Sequence, residues 1–338
     1  MNVRSALEGD ATAWNQLVEQ NPQATFFHLW QWREVVQTNF GFTPHYLIAE
    51  DSSTTRGILP LFHVTRPPFP SALISTPLCT YGGSVADCDQ AHAELDLAAQ
   101  KLAHELGVAY LEMRDLHQQR EGYVLRDSYA SFRKILPERI DHTLKAIPVK
   151  QRAEIRKGIN AGGSTRRSRN LDEFFRIYST SVRNLGSPVF RRSYYQSLLD
   201  VFGDQAEIIT AYADGVGISS VMIFWFRDEV LLYYGGSLPA ARELRSTQFM
   251  YWDVMNQAVE RGTRLFDFGR SIKDTGTYRF KKLWGFEPGQ LSYNYHLVRA
   301  ATAPDLRPDN FRMLTNLWSH LPLPLANRLG PFAARLIV

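Results

Sequence analysis

A chain of 338 residues, 44% hydrophobic and 21% charged, is long for a single hydrophobic core, so two domains are expected. This composition excludes a disordered chain, and no apolar run is long enough to span a bilayer. A net charge of +4 and a pI near 9.0 point weakly to anionic partners.

The first residues, MNVRSALEGDATAW, lack the apolar stretch of a secretory signal, which suggests a cytoplasmic protein. Cys79 and Cys88 are too few for a disulfide framework or a zinc site. They read as free thiols, although their closeness permits a bridge. The histidines are scattered without metal spacing, and no metal site is expected.

The chain contains one unit twice. The first copy has a hairpin from Tyr46 to Phe62, then Tyr81-Gly82-Gly83-Ser84, then a helical pattern of Leu95, Ala98, Leu102 and Leu106. Gly107 stops that helix, and Tyr110 to Arg114 follows. The second copy has a hairpin from Ile208 to Phe226, the strand Glu229 to Tyr234 and Tyr234-Gly235-Gly236-Ser237. A helix capped by Ser246 then carries Phe249, Trp252, Val254 (or Met255) and Val259 to a stop at Gly262, and Leu265 to Arg270 closes the unit. Tyr81 to Tyr234 is 153 residues and Gly107 to Gly262 is 155, so the copies differ by a two-residue insertion. A repeat of this length means duplicated domains rather than a solenoid. Strand, helix, strand in this order suits a mixed sheet with a crossover helix.

Between the copies, Lys145 to Arg169 carries eight Lys/Arg against the single acid Glu154. Arg152 and Arg156 share a helical face, and Ala161-Gly162-Gly163-Ser164 breaks the helix. The stretch is either a solvated face or an anion site. Next, Arg183 and the loop Leu185-Gly186-Ser187-Pro188-Val189-Phe190 lead into Arg191-Arg192 and Tyr194-Tyr195, a turn followed by a helix start.

Leu265 to Pro288 is the densest segment. A short strand, Leu265 to Phe268, ends in Asp267, which is expected to be buried and bonded to the following loop. A glycine-bounded loop then carries Arg270, Ser271, Lys273 and Asp274 into Gly276-Thr277-Tyr278-Arg279-Phe280-Lys281-Lys282. Strand ends that release basic, hydroxyl and acidic groups into such a loop are where α/β folds place chemistry. Arg270 and Ser271 suit a carboxylate or phosphate ligand, whereas Phe280 and Trp284 suit packing. In the tail, Phe311, Leu314, Leu317 (or Trp318) and Leu321 line a helical face. There are three arginines and no acid from Phe311 to Val338. This tail, 305–338, is expected to dock on the first domain, with a membrane-surface anchor as the alternative.

The block Phe266 to Ser271, Gly276 to Tyr278, Phe280-Lys281 and Trp284 to Pro288 resembles the FDFGRS…GTY.FK..WGFEP signature of the Fem-type branch of the GNAT acyltransferase superfamily. More specifically, it is similar to the FemAB-like proteins associated with exosortase/PEP-CTERM systems and exopolysaccharide gene clusters. Leu185 to Phe190 and Tyr81-Gly82-Gly83 fit as well. The resemblance implies an α/β (α+β) fold of tandem GNAT-like domains, each a mixed sheet flanked by helices, with 1–145 the first domain and 146–304 the second, active one. It implies an acyl or aminoacyl transferase acting on an amine of a cell-envelope or exopolysaccharide precursor, a small molecule or a glycan- or lipid-linked one.

Lys281 is then the catalytic candidate. Arg270, Ser271, Lys273, Tyr278, Arg183, Ser187 and Tyr194 are substrate ligands. Lys150, Arg152, Arg156 and Lys157, on a helix like the family's basic one, bind the donor with Arg242 and Arg245. No GxSxG elbow or Cys–His pair suggests a covalent intermediate, so direct transfer in a ternary complex is preferred. The loop Leu238 to Ser246 has no glycine, unlike the phosphate cradle of ordinary GNAT enzymes, which argues against acetyl-CoA. No tightly bound cofactor is expected. The donor, as co-substrate, is aminoacyl-tRNA, an acyl-CoA or an acyl carrier. The rival reading is a non-catalytic protein that holds an anionic glycan or lipid precursor.

Overall fold

The structure, a computed structural model, describes residues 1–52, 54–116, 118–304 and 312–336. The chain forms two units. One holds residues 1–129 and 290–304, the other residues 130–289 and 312–334; the last described residues, 335–336, fall with the first.

The first unit opens with β1 (Asn2–Ser5), α1 (Ala11–Gln20) and α2 (Trp32–Phe40). It continues through β2 (Thr43–Pro44), the hairpin β3 (Leu47–Asp51) and β4 (Thr54–Leu59), then β5 (Phe62–Arg66) and β6 (Phe69–Ser75). β7 (Val85–Ala86), α3 (Asp89–Glu105), β8 (Tyr110–Asp115) and β9 (Val124–Arg126) follow. Ser292–Leu297, the seventeenth strand (β17), pairs with both β8 and β9. The strands make a four-stranded sheet, β1-β3-β4-β7, and a six-stranded sheet, β2-β5-β6-β8-β17-β9. α3 buries Leu95, Ala99 and Ala103 against Leu47, Leu59, Leu73 and Leu111. It ends before Gly107, whose φ of +59° only glycine adopts without strain.

The second unit runs β10 (Tyr129–Ile135), α4 (Ile140–Thr143), α5 (Val149–Asn160), β11 (Ser164–Ser168), α6 (Leu171–Asn184) and α7 (Arg192–Phe202). Next come β12 (Ala206–Ala213), β13 (Val216–Phe226), β14 (Glu229–Ser237), α8 (Ala241–Leu244) and α9 (Ser246–Glu260). β15 (Leu265–Ile272), α10 (Gly276–Leu283) and β16 (Pro288–Gln290) complete the sheet, and α11 (Arg312–Ser319) and α12 (Leu323–Leu336) form the tail. The seven strands lie in the order β11-β12-β13-β14-β15-β10-β16. Ile209, Val221, Ile223, Val230, Phe266 and Phe268 from the sheet pack with Met250, Val254 and Ala258 of α9.

The fold is the expected α/β one, and the repeat is visible in it. The hairpins β3–β4 and β12–β13 are antiparallel pairs, and each copy ends with a crossover helix and a strand parallel to an earlier one.

Four particulars differ from the sequence reading. β10 and α4, expected in the first domain, lie in the second unit, whereas 290–304 completes the first. The tail packs on the second unit: α11 touches α6, and Arg183 Nη1 donates to Ser319 O (3.3 Å) and Leu321 O (3.2 Å). Of its helical face, Phe311 lies outside the described residues. Ser246 does not cap α9; its Oγ pairs with Ser219 Oγ at 2.7 Å, and Arg245 stands at the cap. Finally, the segment after Phe268 is not a loop. β15 runs on to Ile272, and Thr275, whose Oγ accepts from Tyr278 N (3.4 Å), starts a helix.

Candidate active site in the second unit

β14 and β15 are parallel, but their ladder has only three pairs, Glu229–Leu265, Val230–Phe266 and Leu231–Asp267. Both strands continue beyond it, to Ser237 and Ile272. The register of β13 against β14 jumps from Met222–Tyr234 to Ile223–Leu232, so Tyr233 is an extra residue in β14. Such a bulge bends its strand, and here it stands two residues beyond Leu231, the last β14 residue of the ladder. The two strands therefore part, and a wedge opens between the end of β14 and the end of β15. Gly236 belongs to the same bend. A Cβ there would stand 2.8 Å from Ser181 Cβ and 3.0 Å from Tyr178 Cα, so only glycine lets α6 lie this close.

On the β15 side, Asp267 is 1% exposed. Its Oδ1 accepts from Gly269 N at 2.5 Å, as the sequence led us to expect. Gly269 has a φ of +67°, and this kink turns its carbonyl and that of Arg270 toward α10. Lys281, half-buried on α10, donates from Nζ to Arg270 O (2.9 Å) and Gly269 O (3.3 Å). The Phe132 ring lies 5.4 Å from the same nitrogen. Burial pulls the Lys281 ammonium down to about 7; Asp267 opposes this and Arg270 adds to it. With two N–H groups fixed on carbonyls, one direction at Nζ is left to give or take a proton.

Behind the lysine is a buried acid pair that sequence reasoning missed. Arg133 Nη2 donates to Glu229 Oε2 at 2.9 Å, and its Nε lies 3.4 Å from Asp267 Oδ2. Burial and the neighbouring Asp267 push the Glu229 carboxyl up to about 8, with Arg133 opposing. Glu229 is therefore largely protonated at neutral pH. The available signal was one acid at the head of an otherwise apolar strand, EVLLYY.

The other expected residues fall into three groups. Ser271 lines the last part of β15, 5% exposed, and its Oγ has no hydrogen-bond partner among the described residues. Arg270 and Lys273, both half-buried, flank it. Tyr278 is more a packing residue than a ligand: its ring meets Phe132 edge to face at 5.3 Å. The second group sits elsewhere. Tyr194 is 1% exposed, and its hydroxyl pairs with that of Tyr234 at 2.8 Å, so it braces β14 from the core. Arg183 holds the tail, and Ser187 is exposed in the turn after α6. Neither Arg183 nor Tyr194 is placed as a substrate ligand.

The third group is basic. α5 turns Gln151, Ile155 and Gly158 inward, and its opposite face carries the charges. A Cβ on Gly158 would stand 2.8 Å from Phe249 Cβ and 3.0 Å from Arg245 O, so α5 rests on the first turn of α9. The two basic segments of the sequence thus meet at one helix N-terminus, which itself favours anions. Glu154 lies among them, 2.8 Å from Lys157 Nζ and 2.5 Å from Arg245 Nε. Arg245 Nη1 also donates to Arg242 O at 2.7 Å. Lys150, Arg156 and Arg242 are exposed, and Arg152 has a buried Nε without a hydrogen-bond partner among the described residues.

In the first unit the corresponding place is closed. The β6–β8 ladder runs to Ser75, the last residue of β6. The stretch that is one bulged strand in the second unit is here split into β6 and β7, on different sheets. Arg114 Nη1 donates to Thr76 O (3.2 Å) and Cys79 O (3.0 Å), Gly82 N donates to Arg114 O (2.7 Å), and Gly83 N donates to Ser75 Oγ (3.0 Å). Asp115 and Arg120 form a buried pair at 2.7 Å. Among the described residues no group of three or more His, Cys, Asp or Glu is placed to hold a metal ion.

Residues 149–282, which include the wedge and α5, match the family model described as "Acetyltransferase (GNAT) domain". No curated protein matches the sequence. Among solved structures the fold is similar to that of FemX, with 14% identity, a TM-score of 0.68, and coverage of 93% of this chain and 100% of that one. It is also similar to a tandem GNAT protein from the clavulanic acid biosynthesis pathway, with 13% identity, a TM-score of 0.56, and coverage of 89% and 99%. A third is the C-terminal domain of a putative lysylphosphatidylglycerol synthetase from Agrobacterium fabrum, with 13% identity, a TM-score of 0.55, and coverage of 84% and 91%. The architecture is thus a tandem GNAT-like one.

Proposed function

We propose that the second unit is the transfer site of a Fem-type acyl or aminoacyl transferase. It would move an acyl group from an activated, phosphate-bearing donor to an amine on a cell-envelope or exopolysaccharide precursor. The observation that carries this reading is the β14–β15 wedge with Lys281 beside it. Unpaired strand edges offer backbone N–H groups to an acyl donor laid between them, as in strand addition. The basic corner at the start of α9 suits the donor's phosphates. The match of residues 149–282 to a GNAT acetyltransferase domain supports the reaction class. The likeness to FemX, and to a protein named for joining lysine to phosphatidylglycerol, favours an aminoacyl donor.

The chemistry is direct transfer. The neutral acceptor amine attacks the donor carbonyl; a C–N bond forms and the bond from the carbonyl carbon to the leaving oxygen or sulfur breaks. The protonated Lys281 stabilises the oxyanion and gives its proton to the leaving group, and the proton lost by the amine restores the lysine. A proton donor is most effective when its pKa lies near the working pH, and burial places Lys281 there. Asp267 and Arg133 position it by fixing the Gly269 kink. The test is turnover by the purified chain with aminoacyl-tRNA, acyl-CoA and acyl carrier as donors and amino sugars and lipid-linked amines as acceptors, beside Lys281→Ala. Transfer by the native chain and its loss in the variant support the reading. Binding without turnover of any donor would make the wedge a holding site instead.

A further inference from the structure

The tail helices carry their apolar residues the wrong way round for a core. On α12 the residues turned inward are Ala326, Gly330 and Ala334, all buried. A Cβ on Gly330 would stand 2.7 Å from Val189 O, so this side is seated tightly. Asn327 Nδ2 reaches Ser179 Oγ at 3.5 Å. The large residues Leu325, Leu329 and Phe332, one stripe at i, i+4 and i+7, face solvent, and Phe332 is 64% exposed. On α11, Met313, Leu314 and Leu317 are 83%, 60% and 64% exposed. An amphipathic helix that serves a core buries its large apolar stripe and leaves the small residues outside. Here the arrangement is inverted, and the bonds from Arg183 to the turn between α11 and α12 hold it so.

The charges say what covers this face. From Phe311 to Val338 there are three arginines and no Asp or Glu. Arg328 is exposed on α12, and the Arg191 guanidinium lies 5.8 Å from the Phe332 ring centroid. A second copy of the chain across a twofold axis would bring like charges together. A lipid surface supplies both partners at once, an apolar layer beneath an anionic one.

We propose that α11 and α12 dock on an anionic membrane surface. Met313, Leu314, Leu317, Leu325, Leu329 and Phe332 enter the boundary between headgroups and acyl chains, and Arg191 and Arg328 meet lipid phosphates. No helix among the described residues is long and apolar enough to cross a membrane, so the contact is peripheral. The inference does not depend on the transfer reaction.

The test is flotation of the full chain with vesicles of phosphatidylcholine alone, or of phosphatidylcholine mixed with phosphatidylglycerol. At low salt the chain should float with the anionic vesicles only. The triple variant Leu317→Asp, Leu329→Asp, Phe332→Asp should lose roughly tenfold or more in vesicle affinity, with its circular dichroism unchanged because all three side chains face solvent. Arg328→Glu, which does not touch the packing, should also weaken binding and keeps the test valid if the triple variant misfolds. No flotation of the native chain, equal flotation with both vesicle types, or full flotation of Arg328→Glu would overturn the proposal. So would a concentration-dependent dimer that the triple variant abolishes, since the face would then meet a second copy.

Discussion

Lys281→Met separates function from stability at one position. Methionine keeps the length and apolar stem of lysine but removes the ammonium. In the native chain burial lowers this ammonium from 10.5 to about 7. A unit of pKa corresponds to about 1.4 kcal/mol, so the whole drop amounts to about 5 kcal/mol at most. Lys281 keeps some solvent contact, and halving that figure for screening leaves about 2 kcal/mol. The sign follows from proton binding. Between pH 7 and 10.5 the unfolded chain holds this proton and the folded chain does not, so native stability rises with pH across that window. Methionine removes the rise. It also leaves Gly269 O and Arg270 O without their donor, at about 1–3 kcal/mol for a group that stays unsatisfied. At pH 7 the two effects nearly cancel, and the melting temperature should move little.

Urea unfolding of both proteins at pH 7 and pH 9.5 measures the double difference. The native chain should gain about 2 kcal/mol more than the variant. Transfer should fall by at least about a hundredfold in Lys281→Met, as for loss of a general acid. In the native chain, the limb of kcat/KM that falls with rising pH should have its midpoint near 7. Equal pH dependence of stability in the two proteins would refute the burial of the ammonium. Retained turnover would refute its role.

Glu229→Gln should keep the fold. Its carboxyl is raised from 4.5 to about 8, so the folded chain holds that proton while the unfolded chain has released it. Native stability therefore falls as pH rises from about 4.5 to 8, and the variant should lack this fall in urea melts at pH 5 and pH 8. Acetyl-CoA should give little heat in calorimetry at millimolar concentration, since the α8–α9 segment has no glycine cradle; a micromolar dissociation constant would show that Arg242 and Arg245 replace it. Reversal of Arg152 and Arg156 to Glu should raise the apparent dissociation constant of a polyanionic donor and flatten its salt dependence. The single-turnover rate at saturation should stay, as for uniform binding; if neither binding nor rate changes, the α5 face is only solvated.

The sequence alone determined what local pattern controls. The repeat, the crossover helices ending at Gly107 and Gly262, the α5 helix broken at Gly162 and the buried Asp267 were all legible, because glycine positions and apolar spacing act within a few residues. The basic and hydroxyl residues from Arg270 to Lys281 stand out because they lie close together in the chain, and it was the family resemblance that singled out Lys281 among them. The tertiary structure decided the rest. Glu229 and Arg133 are 96 residues apart, and only the neighbouring of β14, β15 and β10 brings their charges together with Asp267. Tyr194 and Arg183 were candidate ligands because the family resemblance places substrate contacts at their loop; packing put one in the core and the other on the tail. No local pattern says that a parallel ladder stops after three pairs, because a bulge is a mismatch between two strands and belongs to neither sequence segment alone. The outward stripe of α12 was equally hidden: spacing shows that a helix has two faces, and only the close approach of Val189 to Gly330 selects the small one for burial.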